Sequence, residues 1–225
     1  TALCAEARAA EPILLGMQHE QQHQELILTD IKHAFFANPL LPAYAPAPPK
    51  PTPARAPLSW IRHDGGVVEI GHAGESFAFD NERPRHQVLL RPFKIASRPA
   101  TNGEYLAFVE DGGYRRPEFW LSDGWALACG EGWDAPLYWM SDDAGRSVFT
   151  LGGVGPLDPE ATLEHVSFFE ASAFAAWSGK RLPTEFEWES AAPHFAGGEV
   201  WEWTRSSCDP YPGYRPFVGA AGEYN

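Results

Sequence analysis

His19, Glu20, Gln21, Gln22 and His23 spell H-E-x-x-H. Two histidines four residues apart on a helix share one face, so both imidazoles can be directed at a single ion. The first chemistry this spacing offers is that of a zinc peptidase, with Glu20 as general base. The neighbouring residues count against it. A metzincin-type continuation needs a glycine and a third histidine seven and ten residues after the first, and Leu26 and Thr29 stand there. A third-ligand glutamate on a following helix is hard to place, because a run of prolines intervenes. His33 is ten residues past His23, nearly three helical turns away, and cannot join the same ion. His63, His72, His86, His165 and His194 are scattered through the rest of the chain, where surface or packing roles are the ordinary ones. By themselves the two histidines fit a polar surface face as well as an incomplete metal site.

The element that must position the pair is a helix over residues 11–38. Pro12 suits a first turn, where its missing N–H costs nothing. Leu14, Leu15, Met17, Leu26, Ile27, Ile31, Phe35 and Phe36 recur at mixed three and four spacing, and Asn38-Pro39 ends the run. Such a helix is about 40 Å long and cannot bury its own apolar stripe. It needs the neighbours of a bundle, and no second helix for one is evident in the chain.

Eight prolines follow between Pro39 and Pro57, a density that excludes helix and central strand and favours extended geometry. Residues 39–57 therefore read as a semi-rigid connector. Beyond Leu58 the pattern changes to short strands, such as 67–70 and 87–90, tight turns and short helices. Three helix starts carry capping boxes: Thr101 with Glu104, Ser167 with Glu170, and Thr184 with Glu187. Gly112-Gly113 and Gly179 are the expected stops of the first two. The stretch 115–165 shows no clear period despite many aromatics. The expected class is α+β with much ordered irregular structure.

Composition bounds the partners. The 225 residues carry 17 Lys+Arg against 30 Asp+Glu, a formal charge of −13. That argues against nucleic acid or an anionic membrane, since both call for a basic face. No apolar run is long enough to span a bilayer, and no signal peptide opens the sequence. Cys4, Cys129 and Cys208 are odd in number and scattered, which fits free thiols in a reducing cytosol rather than a disulfide framework.

The stretch GMQHEQQHQELILTDIKHAFFANP resembles the iron-binding helix of ergothioneine-biosynthesis sulfoxide synthases of the EgtB type, in which it closes a DinB-like helical bundle. The body resembles the formylglycine-generating-enzyme/sulfatase-modifying fold, a C-type-lectin-like domain that forms the second half of those synthases. The segments that carry this are FAFDNERPRHQV, ATNGEYLAFVEDGGYRRPEFWLSDGW, HVSFFEASAFAAWSGKRLPTEFEWESAA, VWEWTRSSCDPYPGYRP and GAAGEYN, in the family's order. The implied organisation is the end of the metal-binding bundle over 1–38, the connector, and the lectin-like domain over 58–225.

The resemblance implies a non-haem Fe(II) enzyme. Such enzymes use O₂ to join a thiol, cysteine or γ-glutamylcysteine, to the imidazole C2 of Nα-trimethylhistidine (hercynine), oxidising the sulfur to the sulfoxide. Neutral imidazoles suit Fe(II), and three of them on one side leave positions open for thiol, substrate imidazole and O₂. His19 and His23 match two of the iron ligands. Gln22 matches a residue holding the substrate imidazole, and Tyr224 matches a tyrosine lining the substrate pocket. Glu20 and Glu25 correspond to groups that hydrogen-bond around the metal or within the bundle. Some members carry a catalytic tyrosine where Ala221 stands here. Arg181, Glu185, Glu189, Trp201 and Trp203 correspond to residues that hold the fold together.

The family's first iron-ligating histidine lies on an upstream helix that does not precede Thr1, the family continues past GEYN, and the stretch between Ala192 and Val200 is short. The expectation is a fragment of a longer chain. Two alternatives remain open: an ovothiol-type synthase joining cysteine to histidine at C5, and a non-catalytic lectin-like module with a vestigial helix. A formylglycine-generating enzyme is disfavoured, because its paired active-site cysteines have no counterpart.

Overall fold

The computed structural model describes residues 2–45, 56–142, 145–195, 198 and 200–216, without the side chains of 2–12 and 142. The chain opens with one helix, α1 (Ala2–Ala37). It begins nine residues before the expected start, so Pro12 lies inside it rather than in its first turn. The preceding AEARAAE is a run of strong helix formers, and it outweighs the single backbone hydrogen bond that a proline removes. The helix ends as expected before Asn38-Pro39, where the Leu41 N–H donates to the Asn38 carbonyl at 2.9 Å. Of its apolar positions, Ile13, Leu14, Met17, Leu26, Ile27 and Leu28 are all exposed. No helix among the described residues is long and apolar enough to cross a membrane.

Two compact units follow from how the chain contacts itself. The first takes residues 1–31, 64–92 and 207–225. Its sheet pairs β2 (Gly66–Ile70) with β3 (His86–Leu90) antiparallel, in a register that sets Val68 opposite Val88. These are the two expected strands, each one residue longer. Gly65 precedes β2 at φ +77°, where an added Cβ would lie 2.7 Å from the Leu90 carbonyl oxygen. Glycine is therefore required there, for both the backbone angle and the close approach. Ile70 is fully buried. The Arg85 guanidinium donates to the Gly71 carbonyl at 3.1 Å, and the His86 and Tyr211 rings pack 4.5 Å apart.

The second unit takes residues 32–63 and 93–206. β1 (Trp60–His63) pairs with β4 (Phe93–Ala96), while β5 (Trp139–Asp142), β6 (Gly145–Thr150) and β7 (Gly153–Pro156) form an antiparallel meander. Helices α2 (Asn102–Glu110), α3 (Ser122–Glu131), α4 (Phe168–Trp177) and α5 (Glu185–Ala191) surround an aromatic core. That core joins Tyr105, Phe108, Tyr114, Trp120 and Trp139, with Phe174 and Trp177 packed against it. Burying a side chain as large as Phe108 contributes about 1.5–3 kcal/mol, so this cluster is the unit's main source of stability.

All three capping boxes form as expected. Gly112 and Gly179 take left-handed backbone angles where α2 and α4 stop. The stretch 115–165 is more regular than its sequence suggests, since it holds α3 and the whole meander. Its strands are only four to six residues long and half-buried, too short for a period to show. The first residues of the connector are held within the second unit: the N–H groups of Tyr44 and Ala45 both donate to the Leu151 carbonyl. Residues 46–55, the middle of the proline run, lie outside the described residues.

Candidate functional site

α1 carries the histidine pair. The His19 and His23 rings stand edge to face, with centroids 4.3 Å apart and planes at 77°. This is the arrangement a spacing of one helical turn dictates when both side chains lean over the same face. His19 is half-buried, whereas Glu20, Gln22, His23 and Glu25 are exposed. Gln22 lies three residues beyond His19, so its amide projects from the same side of the helix as the pair. Two imidazoles this close suit neighbouring positions on one Zn(II) or Fe(II) ion. Among the described residues, no set of three His, Cys, Asp or Glu side chains could hold a metal ion. The donor set is thus compatible with such an ion but supplies two of its ligands.

Tyr224 and Ala221 lie outside the described residues. Cys129 and Cys208 are free and exposed. Arg181 and Glu187 meet through two hydrogen bonds of 2.6 and 2.7 Å, and the Glu185 N–H donates to the Ser206 hydroxyl at 2.9 Å. Glu187, the third residue of the α5 capping box, is therefore the partner of Arg181. The Trp203 indole N–H donates to the Val166 carbonyl at 2.9 Å, in keeping with a structural role. Trp201 departs from that expectation: it is 86% exposed, so it is not a core residue. In W-E-W the alternation turns Glu202 inward between two outward tryptophans, and burial raises the Glu202 carboxyl above its ordinary pKa range.

Sequence reasoning missed a second constellation, at the other end of α1. Lys32 and His33 meet Tyr138, Glu164 and His165, all within the second unit. The Lys32 Nζ lies 2.6 Å from His165 Nε2, and His33 Nδ1 shares a 3.3 Å hydrogen bond with the Tyr138 hydroxyl. Phe36 packs edge-on against Tyr138 at 4.9 Å. His33 was readable only as a failed metal ligand, and Tyr138 and His165 sit in the stretch without a period. The K-H dipeptide in the last turns of a helix was the one available signal.

The chain matches the family model of the sulfatase-modifying factor enzyme 1-like domain over residues 47–198. It is 35% identical to a hercynine oxygenase of Mycolicibacterium thermoresistibile, over 93% of this chain and 57% of that protein. A hercynine oxygenase of Mycobacterium tuberculosis is 34% identical, over 90% of this chain and 58% of the relative. A formylglycine-generating enzyme of Streptomyces coelicolor is 33% identical, over 79% of this chain and 64% of the relative. The chain thus spans less than three fifths of the length of the two hercynine oxygenases. An alignment covering 93% of 225 residues cannot avoid the first 46, so likeness to the first of them reaches into α1.

Proposed function

The chain belongs to the sulfatase-modifying factor enzyme 1-like family, and from that premise we propose that it is the hercynine-binding and metal-binding portion of a hercynine oxygenase. Its α+β body, with small sheets and much irregular structure, is that family's C-type-lectin-like fold. The observation that carries the functional proposal is the His19–His23 pair on a helix that the family domain, residues 47–198, does not include.

The proposed reaction is the O₂-dependent joining of a thiol, cysteine or γ-glutamylcysteine, to the imidazole C2 of hercynine, giving the sulfoxide. In this proposal residues 1–38 end a DinB-like bundle, 39–57 connect, and 58–225 form the lectin-like domain. His19 and His23 are two of three ligands to Fe(II), the third coming from outside the described residues. Iron, when bound there, supplies a redox-active Lewis acid at which dioxygen and thiol can meet. Both histidines bind as neutral imidazoles, each offering one ring nitrogen as donor and the other as an N–H for a hydrogen bond. Gln22 presents an amide that can both donate to and accept from the substrate imidazole, fixing which ring carbon faces the thiol. Tyr224 lines the hercynine pocket. The exposed apolar positions of α1 are the surface against which the rest of the bundle packs.

Anaerobic equilibrium dialysis of the full-length protein against Fe(II) tests the ligand assignment. H19A and H23A each lose iron while the near-ultraviolet circular dichroism of the tryptophan-rich body is unchanged. Stoichiometric iron retained in both variants would mean the assignment is wrong.

A further inference from the structure

The cluster at the C-terminal end of α1 has no part in the chemistry proposed above. Five titratable side chains meet there. Lys32 and His33 come from α1, Tyr138 from the residue before β5, and Glu164 and His165 from the loop before α4. The Lys32 Nζ is 2.6 Å from His165 Nε2 and 4.7 Å from the centroid of the Tyr138 ring. His165 Nε2 is also 3.4 Å from a Glu164 carboxylate oxygen.

Two of these residues hold strained backbone. Tyr138 has φ +73° and His165 has φ +59°, in the left-handed region that side chains other than glycine enter at a cost. Their rings meet edge to face at 4.8 Å, and both bear on Lys32. Strain at non-glycine residues gathers where the side chains are needed in one place, and here that place is around a single amine.

At 2.6 Å, the Lys32 amine and His165 Nε2 share a hydrogen bond, an arrangement two cations could not make. Burial lowers the Lys32 amine below its ordinary range, while the Glu164 carboxylate opposes that shift. A desolvated amine beside a base is the arrangement that makes lysine a nucleophile near neutrality.

We propose that Lys32 is an imine-forming amine that captures the carbonyl carbon of a small uncharged aldehyde, with His165 as its proton acceptor. The amine lone pair attacks the carbonyl carbon to form the C–N bond, and the carbonyl π electrons move to oxygen, which takes up a proton. The nitrogen loses its protons through His165 Nε2, and water bearing the former carbonyl oxygen leaves to give C=N. Amine and aldehyde give imine and water, so no oxidant or reductant enters. Glu164 beside the amine repels anionic carbonyl acids, and the Tyr138 ring offers a flat apolar wall to an uncharged group.

The test is competitive reductive alkylation of the full-length protein with limiting propionaldehyde and cyanoborohydride at pH 7.5, read by peptide mass spectrometry. Lys94 and Lys180 serve as references within the same sample. Burial lowers the Lys32 pKa and leaves more of it as neutral amine at this pH, so Lys32 is N-propylated several-fold faster than Lys94. E164Q removes the opposing carboxylate and raises the Lys32 rate further. H165N, chosen because asparagine tolerates the left-handed angle, brings it to within about twofold of Lys94. Lys32 labelled no faster than Lys94 in the wild type would overturn the proposal and leave the cluster as a mechanical joint. A lower rate in E164Q would overturn it as well, and neither result depends on H165N folding.

Discussion

Tyr114 donates a 2.5 Å hydrogen bond to Glu170, and through it the aromatic core is tied to the first turn of α4. The other oxygen of that carboxylate accepts from the Ser167 backbone N–H at 2.7 Å, closing the capping box. The Tyr105 hydroxyl lies 3.0 Å from that of Tyr114 and extends the chain of hydrogen bonds inward. Burial, first of all, raises both phenols above their ordinary range, so both remain protonated and able to donate.

Y114F removes the donor but keeps the ring, leaving a buried carboxylate oxygen without its partner. The loss is about 2 kcal/mol, within the range for a hydrogen bond to a charged group. For a chain of this size it appears as a fall of roughly 4–8 °C in the calorimetric midpoint. A shift under 1 °C would show that water or a rotated Tyr105 takes over the contact.

The Arg181–Glu187 pair gives stability that depends on pH. The Arg181 hydrogen bonds, more than any other influence, hold the Glu187 carboxyl below its ordinary range. A carboxylate depressed on folding contributes stability that is fully present above its unfolded pKa and lost as pH falls through the folded value. E187Q therefore unfolds at lower urea concentration at pH 7, by a margin worth about 2 kcal/mol, and the gap to wild type closes towards pH 3. A gap of the same size at pH 7 and pH 3 would contradict this.

Gly124 is the third residue of α3, in its first turn, where alanine would ordinarily stabilise a helix by up to about 1 kcal/mol. Here an added Cβ would come within 2.5 Å of the Phe169 side chain on α4, too close without movement of one helix. G124A is therefore destabilising, by about 1–3 kcal/mol. G124A/F169A recovers part of that difference relative to F169A alone, a sign of direct coupling between the two positions. Stabilisation by G124A would mean α3 and α4 are free to part.

Legibility in the sequence followed how local each device is. Capping boxes need only residues three apart, so all three were readable and all three formed. The β2 and β3 strands were legible because their apolar runs end at glycine or proline. The meander of β5 to β7 was not, because its strands are short and their burial is set by distant partners such as Phe36 against Phe149. The start of α1 is not legible, because a proline is an ordinary first-turn residue while here the alanine-rich residues before Pro12 carry the helix through it. At the candidate site, one turn of helix brings His19 and His23 together, which spacing alone can say. The Lys32–His165 contact joins positions 133 residues apart and depends on a left-handed backbone angle, neither of which a linear pattern records.

Oxygen consumption tests the functional proposal most directly. The full-length protein is loaded anaerobically with Fe(II), then given air-saturated buffer with hercynine, with a thiol, or with both. Uptake is predicted only when hercynine is present together with cysteine or γ-glutamylcysteine, and it falls by about tenfold or more in H19A and in H23A. Iron-loaded protein that shows no thiol-dependent uptake with either donor would contradict the proposal.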